Sequence, residues 1–158
     1  MKTLVIHLDR ASARKPQVAE LLAAAPYPAE VLPAVDGAAL DNWPLGDWAT
    51  PRYPFELRAG EVGCFLSHRV AWQRILEEGL DGALVLEDDV ELEDGFVQVA
   101  ELAAANLATL GYIQFQTRPV RASAEVTRRG NLTLVRPQVT PLRTSAQMVH
   151  RDAAARLL

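Results

Sequence analysis

Glu87, Asp88 and Asp89 follow one another directly after the apolar run Gly82-Ala-Leu-Val-Leu. Three adjacent carboxylates at the end of a buried strand repel one another and are costly beside a low-dielectric core, and a divalent cation is the simplest compensation. Side chains alternate along a strand, so Glu87 and Asp89 are expected on one side and Asp88 on the other. Glu87 and Asp89 are therefore the candidate ligands of Mg²⁺ or Mn²⁺, with water and substrate phosphates completing the octahedron. The same triplet also suits a solvated strand end running on into Glu91, Glu93 and Asp94, and it occurs at the start of bacterial receiver domains. A receiver would carry this strand near its beginning, whereas 86 residues precede Glu87, and the next strand candidate ends in Gln116-Thr117-Arg118 without an aspartate.

The elements that must position the triplet are legible from periodicity. Thr3 to Leu8 reads as a buried strand, and Ser12 is placed to cap a helix through about Ala24. Pro26 and Pro28 stop that helix, and Ala29 to Val35 forms a second strand ending at the turn signal Asp36-Gly37. Residues 38–57 lose all periodicity and hold Trp43, Trp48 and Tyr53 among prolines, which predicts a long ordered loop or lid. Gly60 to Glu78 is the clearest helix, with Val62, Phe65, Leu66, Arg69, Trp72, Ile75 and Leu76 as its stripe and Gly79 ending it.

After the acidic strand, Asp94 is placed to cap a helix from about Gly95 to Leu107, followed by a strand from Tyr112 to Gln116. Glu125 to Thr127 and Leu132 to Arg136 form a hairpin across Arg129-Gly130-Asn131. Ser145 to Val149 is a last strand, and Asp152 to Leu158 begins a helix. The pattern is α/β: one domain over residues 1–158, with a mostly parallel sheet flanked by helices and an antiparallel hairpin added. Ligands of such sheets collect at the carboxyl ends of the strands, where Asp9, Asp36 and the acidic triplet all fall.

Composition narrows the function classes. Of the 158 residues 49% are hydrophobic and 23% charged, as in a folded globular chain. A net charge of −4 argues against a protein that grips nucleic acid. The single cysteine, Cys64, forms no internal disulfide and requires no oxidising compartment. The N-terminal apolar run is too short for a signal peptide or a span, so the expectation is a cytoplasmic protein, with any membrane association peripheral.

Several motifs in order now become specific together: Leu8-Asp9-Arg10-Ala-Ser-Ala-Arg14, Pro33-Ala-Val-Asp36-Gly37, Gly60-Glu61-Val-Gly63-Cys64-Phe-Leu-Ser67-His68, Ala71-Trp72, and Ala83-Leu-Val-Leu-Glu87-Asp88-Asp89-Val. Their succession resembles glycosyltransferase family 25, the lipopolysaccharide-biosynthesis group that includes bacterial galactosyltransferases. Thr144 to Leu158 resembles the family's later strand and helix. His7 stands where the family more often has asparagine, and the chain is short at its C-terminus beside family members.

The resemblance implies a GT-A-like, Rossmann-like fold and a nucleotide-sugar donor, usually UDP-linked. It also implies transfer with inversion to a saccharide or lipopolysaccharide acceptor, and a metal site at Glu87-Asp88-Asp89 that neutralises the diphosphate leaving group. Arg10 and Arg14 are candidate phosphate contacts, against ordinary helix-surface charge. Asp9 and Asp36 are candidates for uracil or ribose, against turn or cap duty. Ser67 and His68 are candidate donor-pocket residues, against helix packing. Inversion needs a general base; Asp88 is a candidate by position only, Glu125 or another acid would serve equally well, and the role stays open. His7 and His150 read as structural, and Cys64 with His68 alone makes a poor metal site. The competing reading is a catalytically incomplete member that binds a nucleotide or a partner.

Overall fold

A computed structural model describes residues 1–40, 57–115, 120, 122–141 and 143–158. The strands are β1 (Lys2–His7), β2 (Ala29–Pro33), β3 (Gly82–Glu87), β4 (Tyr112–Gln114), β5 (Ser123–Arg129), β6 (Leu132–Pro137) and β7 (Ala146–His150). The helices are α1 (Lys15–Ala24), α2 (Ala59–Glu77), α3 (Phe96–Leu110) and α4 (Arg151–Leu157), with 3-10 turns at Ser12–Arg14 and Gly37–Ala39. Five strands form one sheet in the order β2-β1-β3-β7-β4, and β5 and β6 form a separate antiparallel pair. The fold is mixed α/β and Rossmann-like, with a mostly parallel sheet flanked by helices.

β1 runs parallel to both β2 and β3, as expected for crossovers through helices. β7 lies between β3 and β4 and is antiparallel to both. The antiparallel element in the main sheet is thus β7, and the hairpin stands outside it. Ala83, Leu84, Val85 and Leu86 of the central β3 are fully buried, which is why this segment is a continuous apolar run instead of an alternating one. Leu4, Ile6, Val85 and Val149 pack on one face against Trp72 and Ile75 of α2 and Ala153 and Ala154 of α4. Val5, Leu84, Leu86 and Met148 pack on the other face against Val18 and Leu21 of α1 and Ala103 and Leu107 of α3.

Three local expectations change. Ser12 does not cap α1: it opens a 3-10 turn, and no side chain caps either that turn or the helix. Asp94 does not cap α3; the N-cap is Gly95 at φ 88°, a left-handed conformation suited to glycine. On α2 the apolar stripe is rotated from the expected one. Phe65 is exposed with the Arg69 guanidinium 5.9 Å above its ring, while the polar Ser67 and His68 are buried. Their hydrogen bonds, described below, make that burial tolerable. Trp43, Trp48 and Tyr53, and Gln116 to Arg118, lie outside the described residues. No helix among the described residues is long and apolar enough to cross a membrane.

At the amino ends of the strands Lys2 pairs with Glu30 at 3.0 Å and Glu78 at 2.7 Å, and Arg74 reaches the same two carboxylates. The hydrogen bond from Lys2 holds Glu78 below the ordinary carboxylate range. A lowered native pKa contributes stability above the unfolded value and loses it as pH falls through the native one. Thermal unfolding of Glu78→Gln should therefore show a shallower loss of Tm than wild type between about pH 5 and pH 3. High salt should narrow the difference between the two proteins, because the network is exposed.

Candidate functional site

The carboxyl ends of β1, β2 and β3 open onto a cleft of about 220 Å³ whose rim and floor include Arg10, Arg14, Asp36, Cys64, His68 and Glu87. It exists because α2 lies very close to the segment leaving β2. A Cβ on Gly63 would sit 2.7 Å from the carbonyl oxygen of Val35 and 2.8 Å from the nitrogen of Gly37. A Cβ on Gly37 would overlap the carbonyl oxygen of Ala59. Two glycines facing each other let the backbones touch.

Ser67 fastens the same junction. Its hydroxyl donates to the Gly63 carbonyl at 2.6 Å and accepts from the Val35 amide at 2.8 Å. Ser67→Ala should cost about 1–2 kcal/mol in urea unfolding, because it strands the Val35 amide. Unchanged stability with weakened nucleotide binding would instead make Ser67 a ligand contact.

The acidic triplet divides between the two faces of the sheet. β3 ends at Glu87, so strand alternation does not extend through the triplet; Asp88 and Asp89 lie in the turn beyond, the first buried and the second exposed. On the α2 face, Glu87 Oε1 accepts from His68 Nε2 at 3.0 Å, Thr144 Oγ1 at 3.1 Å and Cys64 Sγ at 3.8 Å. The bond from His68 holds the Glu87 carboxyl below its ordinary range, against the opposing effect of burial. Gln147 Nε2 donates to His68 Nδ1 at 2.6 Å, which leaves the proton on Nε2.

On the other face, Asp88 Oδ2 accepts from His7 Nδ1 at 2.7 Å and Oδ1 from Arg14 Nη1 at 2.5 Å. Across the cleft, Arg10 Nε donates to Asp36 Oδ2 at 2.6 Å, and Asp36 Oδ1 also accepts from the Ala38 amide. These bonds, Arg10's first, hold Asp36 below its ordinary pKa.

Arg10, Arg14, Asp36, Ser67, His68, Glu87 and Asp88 therefore meet at one cleft, and Asp89 occupies the turn beside it. Asp9 is not among the lining residues; its side chain is fully exposed, 3.9 Å from Lys15. Among the described residues the triplet keeps three carboxylate oxygens without a hydrogen-bond partner, Glu87 Oε2 and both of Asp89. An anionic, oxygen-only donor set of this kind fits a hard divalent ion.

The family model described as glycosyltransferase family 25 (LPS biosynthesis protein) matches residues 1–152. This chain belongs to glycosyltransferase family 25. Among family 25 relatives, procollagen galactosyltransferase 2 of Mus musculus is 35% identical over 100 residues, 58% of this chain and 16% of its own length. A glycosyltransferase 25 family member of Drosophila melanogaster is 33% identical over 135 residues, 78% of this chain and 22% of its own. A probable inactive glycosyltransferase 25 family member 3 of Rattus norvegicus is 38% identical over 103 residues, 60% and 18% respectively. The family 25 chain described here thus spans about a fifth of the length of these curated relatives.

Sequence reading did not single out Thr144 and Gln147, and it assigned His7 to structure. Gln147 had a signal: it is a polar residue in the otherwise apolar strand centre Ala146 to Val149. Thr144 had none, because only the antiparallel register of β7 carries it beside Glu87.

Proposed function

We propose that this chain forms the donor-binding part of a glycosyltransferase that moves a hexose, galactose or similar, from a UDP-linked donor to a saccharide or lipopolysaccharide acceptor with inversion. The observation that carries the reading is the convergence of Arg10, Arg14 and the acidic triplet at the carboxyl ends of parallel strands. Galactose is favoured by the procollagen galactosyltransferases among the relatives, and a lipopolysaccharide acceptor by the family's description as lipopolysaccharide-biosynthesis proteins. Work on such an acceptor suits a cytoplasmic protein at the inner face of a membrane.

Asp89 and the second oxygen of Glu87 would hold Mn²⁺ or Mg²⁺, and the ion would supply neutralisation of the diphosphate. Arg10 and Arg14 contribute the remaining cationic donors. Their pairs with Asp36 and Asp88 leave further N–H groups on each guanidinium for phosphate oxygens. Asp88 orients Arg14 and His7, and each of its oxygens keeps a second lone pair for an acceptor's proton. Asp36, Ser67 and His68 shape the wall on which the donor's nucleoside lies, and Asp9 acts only at its exposed edge.

Calorimetric titration of UDP, with Mn²⁺ and then with EDTA, tests the reading, and release of UDP from UDP-galactose in the presence of saccharides tests turnover. Metal-dependent UDP binding without turnover on any acceptor supports the second reading, a catalytically incomplete binding module, which the inactive family members among the relatives favour. Absence of UDP binding in every condition overturns the donor-site reading and leaves, of the second, a module that binds a partner.

A further inference from the structure

We infer that Cys64, His68 and Glu87 form a second metal site, selective for a borderline-soft ion such as Zn²⁺ and sharing only Glu87 with the hard-ion site at Asp89. Cys64 and His68 are four residues apart on α2, so both side chains leave the same face of the helix and meet the end of β3. Their ligand atoms and a Glu87 oxygen all lie within 4.8 Å of one another. Tetrahedral zinc with thiolate, imidazole and carboxylate ligands separates those atoms by about 3.3–3.6 Å. The separations of 3.0 Å from His68 to Glu87 and 3.8 Å from Cys64 to Glu87 are close to that range. Three protein ligands at the side of an open cleft leave the fourth position for water.

A second observation concerns the imidazole. For Nε2 to ligate, its proton must move to Nδ1, and Nδ1–H then needs an acceptor. Gln147 Oε1 is buried beside it without a hydrogen-bond partner. A half-turn of the Gln147 amide brings that oxygen onto Nδ1, so the strand already holds the group that stabilises the ligating tautomer. On ligation the Cys64 thiol proton leaves to solvent and the thiolate binds the ion. Glu87 serves both sites, through Oε1 here and through Oε2 toward Asp89; its part in the hard-ion site, unlike the site described here, rests on the function proposed above.

Cys64 is the only cysteine, so alkylation by iodoacetamide reports on this site alone. In the wild-type chain Zn²⁺ should slow alkylation at least about tenfold, while Mg²⁺ at equal concentration should leave it unchanged. Asp89→Ala should keep the zinc protection and Glu87→Gln should lose it. Co²⁺ should give a thiolate charge-transfer band that is absent in Cys64→Ser, a near-isosteric change at an exposed position. The site is overturned if Zn²⁺ gives no protection, if Mg²⁺ protects equally, or if Glu87→Gln retains full protection. Zinc protection without metal-dependent UDP binding would overturn the proposed function and leave this site standing.

Discussion

In Asp89→Ala, metal-supported UDP binding should weaken by about 100-fold or more, with little change in stability. Asp89 is exposed, lies in a turn and accepts no hydrogen bond among the described residues, so removing it breaks nothing that holds the fold. Its two oxygens are the larger part of what the triplet leaves available to a hard ion. Without them only Glu87 Oε2 remains, and a single carboxylate oxygen competes poorly with water for Mn²⁺ or Mg²⁺. Loss of even an outer-shell partner of a bound metal costs 10- to 100-fold in affinity, and a direct ligand should cost at least as much. Calorimetry of UDP with Mn²⁺, beside thermal unfolding of the same variant, separates the two effects. UDP binding that survives in Asp89→Ala would move the ion, or the nucleotide, away from the triplet.

Gly37→Ala should lower the unfolding free energy by about 3 kcal/mol, equivalent to a fall in Tm of about 6–12 °C for a chain of this size. The added methyl meets the Ala59 carbonyl oxygen, and backbone at a helix start cannot step aside as a flexible side-chain tip can. Gly63→Ala presses on Val35 and Gly37 from the opposite side and should cost less, because its contacts are 2.7 Å and longer. Gly60 is the control. A Cβ there meets nothing within 4 Å, so Gly60→Ala should be neutral or stabilising by about 0.5–1 kcal/mol from helix propensity alone. Differential scanning calorimetry of the three variants reads the order. Equal effects at all three positions would mean that the close approach of α2 to the β2 exit does not govern this junction. The same contact forms a wall of the cleft, so Gly37→Ala should also weaken UDP binding.

Much of this molecule is written locally. The apolar run of β3, the break at Gly79 and the turn at Gly130 each follow from a few adjacent residues, because strand and helix periods and glycine's conformational freedom act over one or two turns of chain. Arg10, Arg14 and the acidic triplet were legible for the same reason: a charged residue just past a buried strand is at the carboxyl edge of the sheet wherever that strand is placed. Boundaries were less legible. Ser12 and Asp94 have the chemistry of caps, yet Ser12 opens a 3-10 turn and Gly95 takes the cap position before α3.

Tertiary structure alone decided which partners the triplet meets. His7 bonds Asp88 across 81 residues, Thr144 bonds Glu87 across 57, and Gln147 bonds His68 across 79. The first depends on β1 lying parallel beside β3 and the other two on β7 entering the sheet antiparallel beside β3, choices of neighbour and register that no local periodicity carries. The rotation of α2, which buries Ser67 and His68 and exposes Phe65, was decided the same way: the glycine contact at Gly37 and Gly63 sets which side of the helix faces the sheet. The sequence by itself therefore determined the elements and the acidic edge, since these follow from short-range sterics and burial. The histidine that each of Glu87 and Asp88 meets came only from packing, where long-range contacts select one arrangement among those that local structure permits.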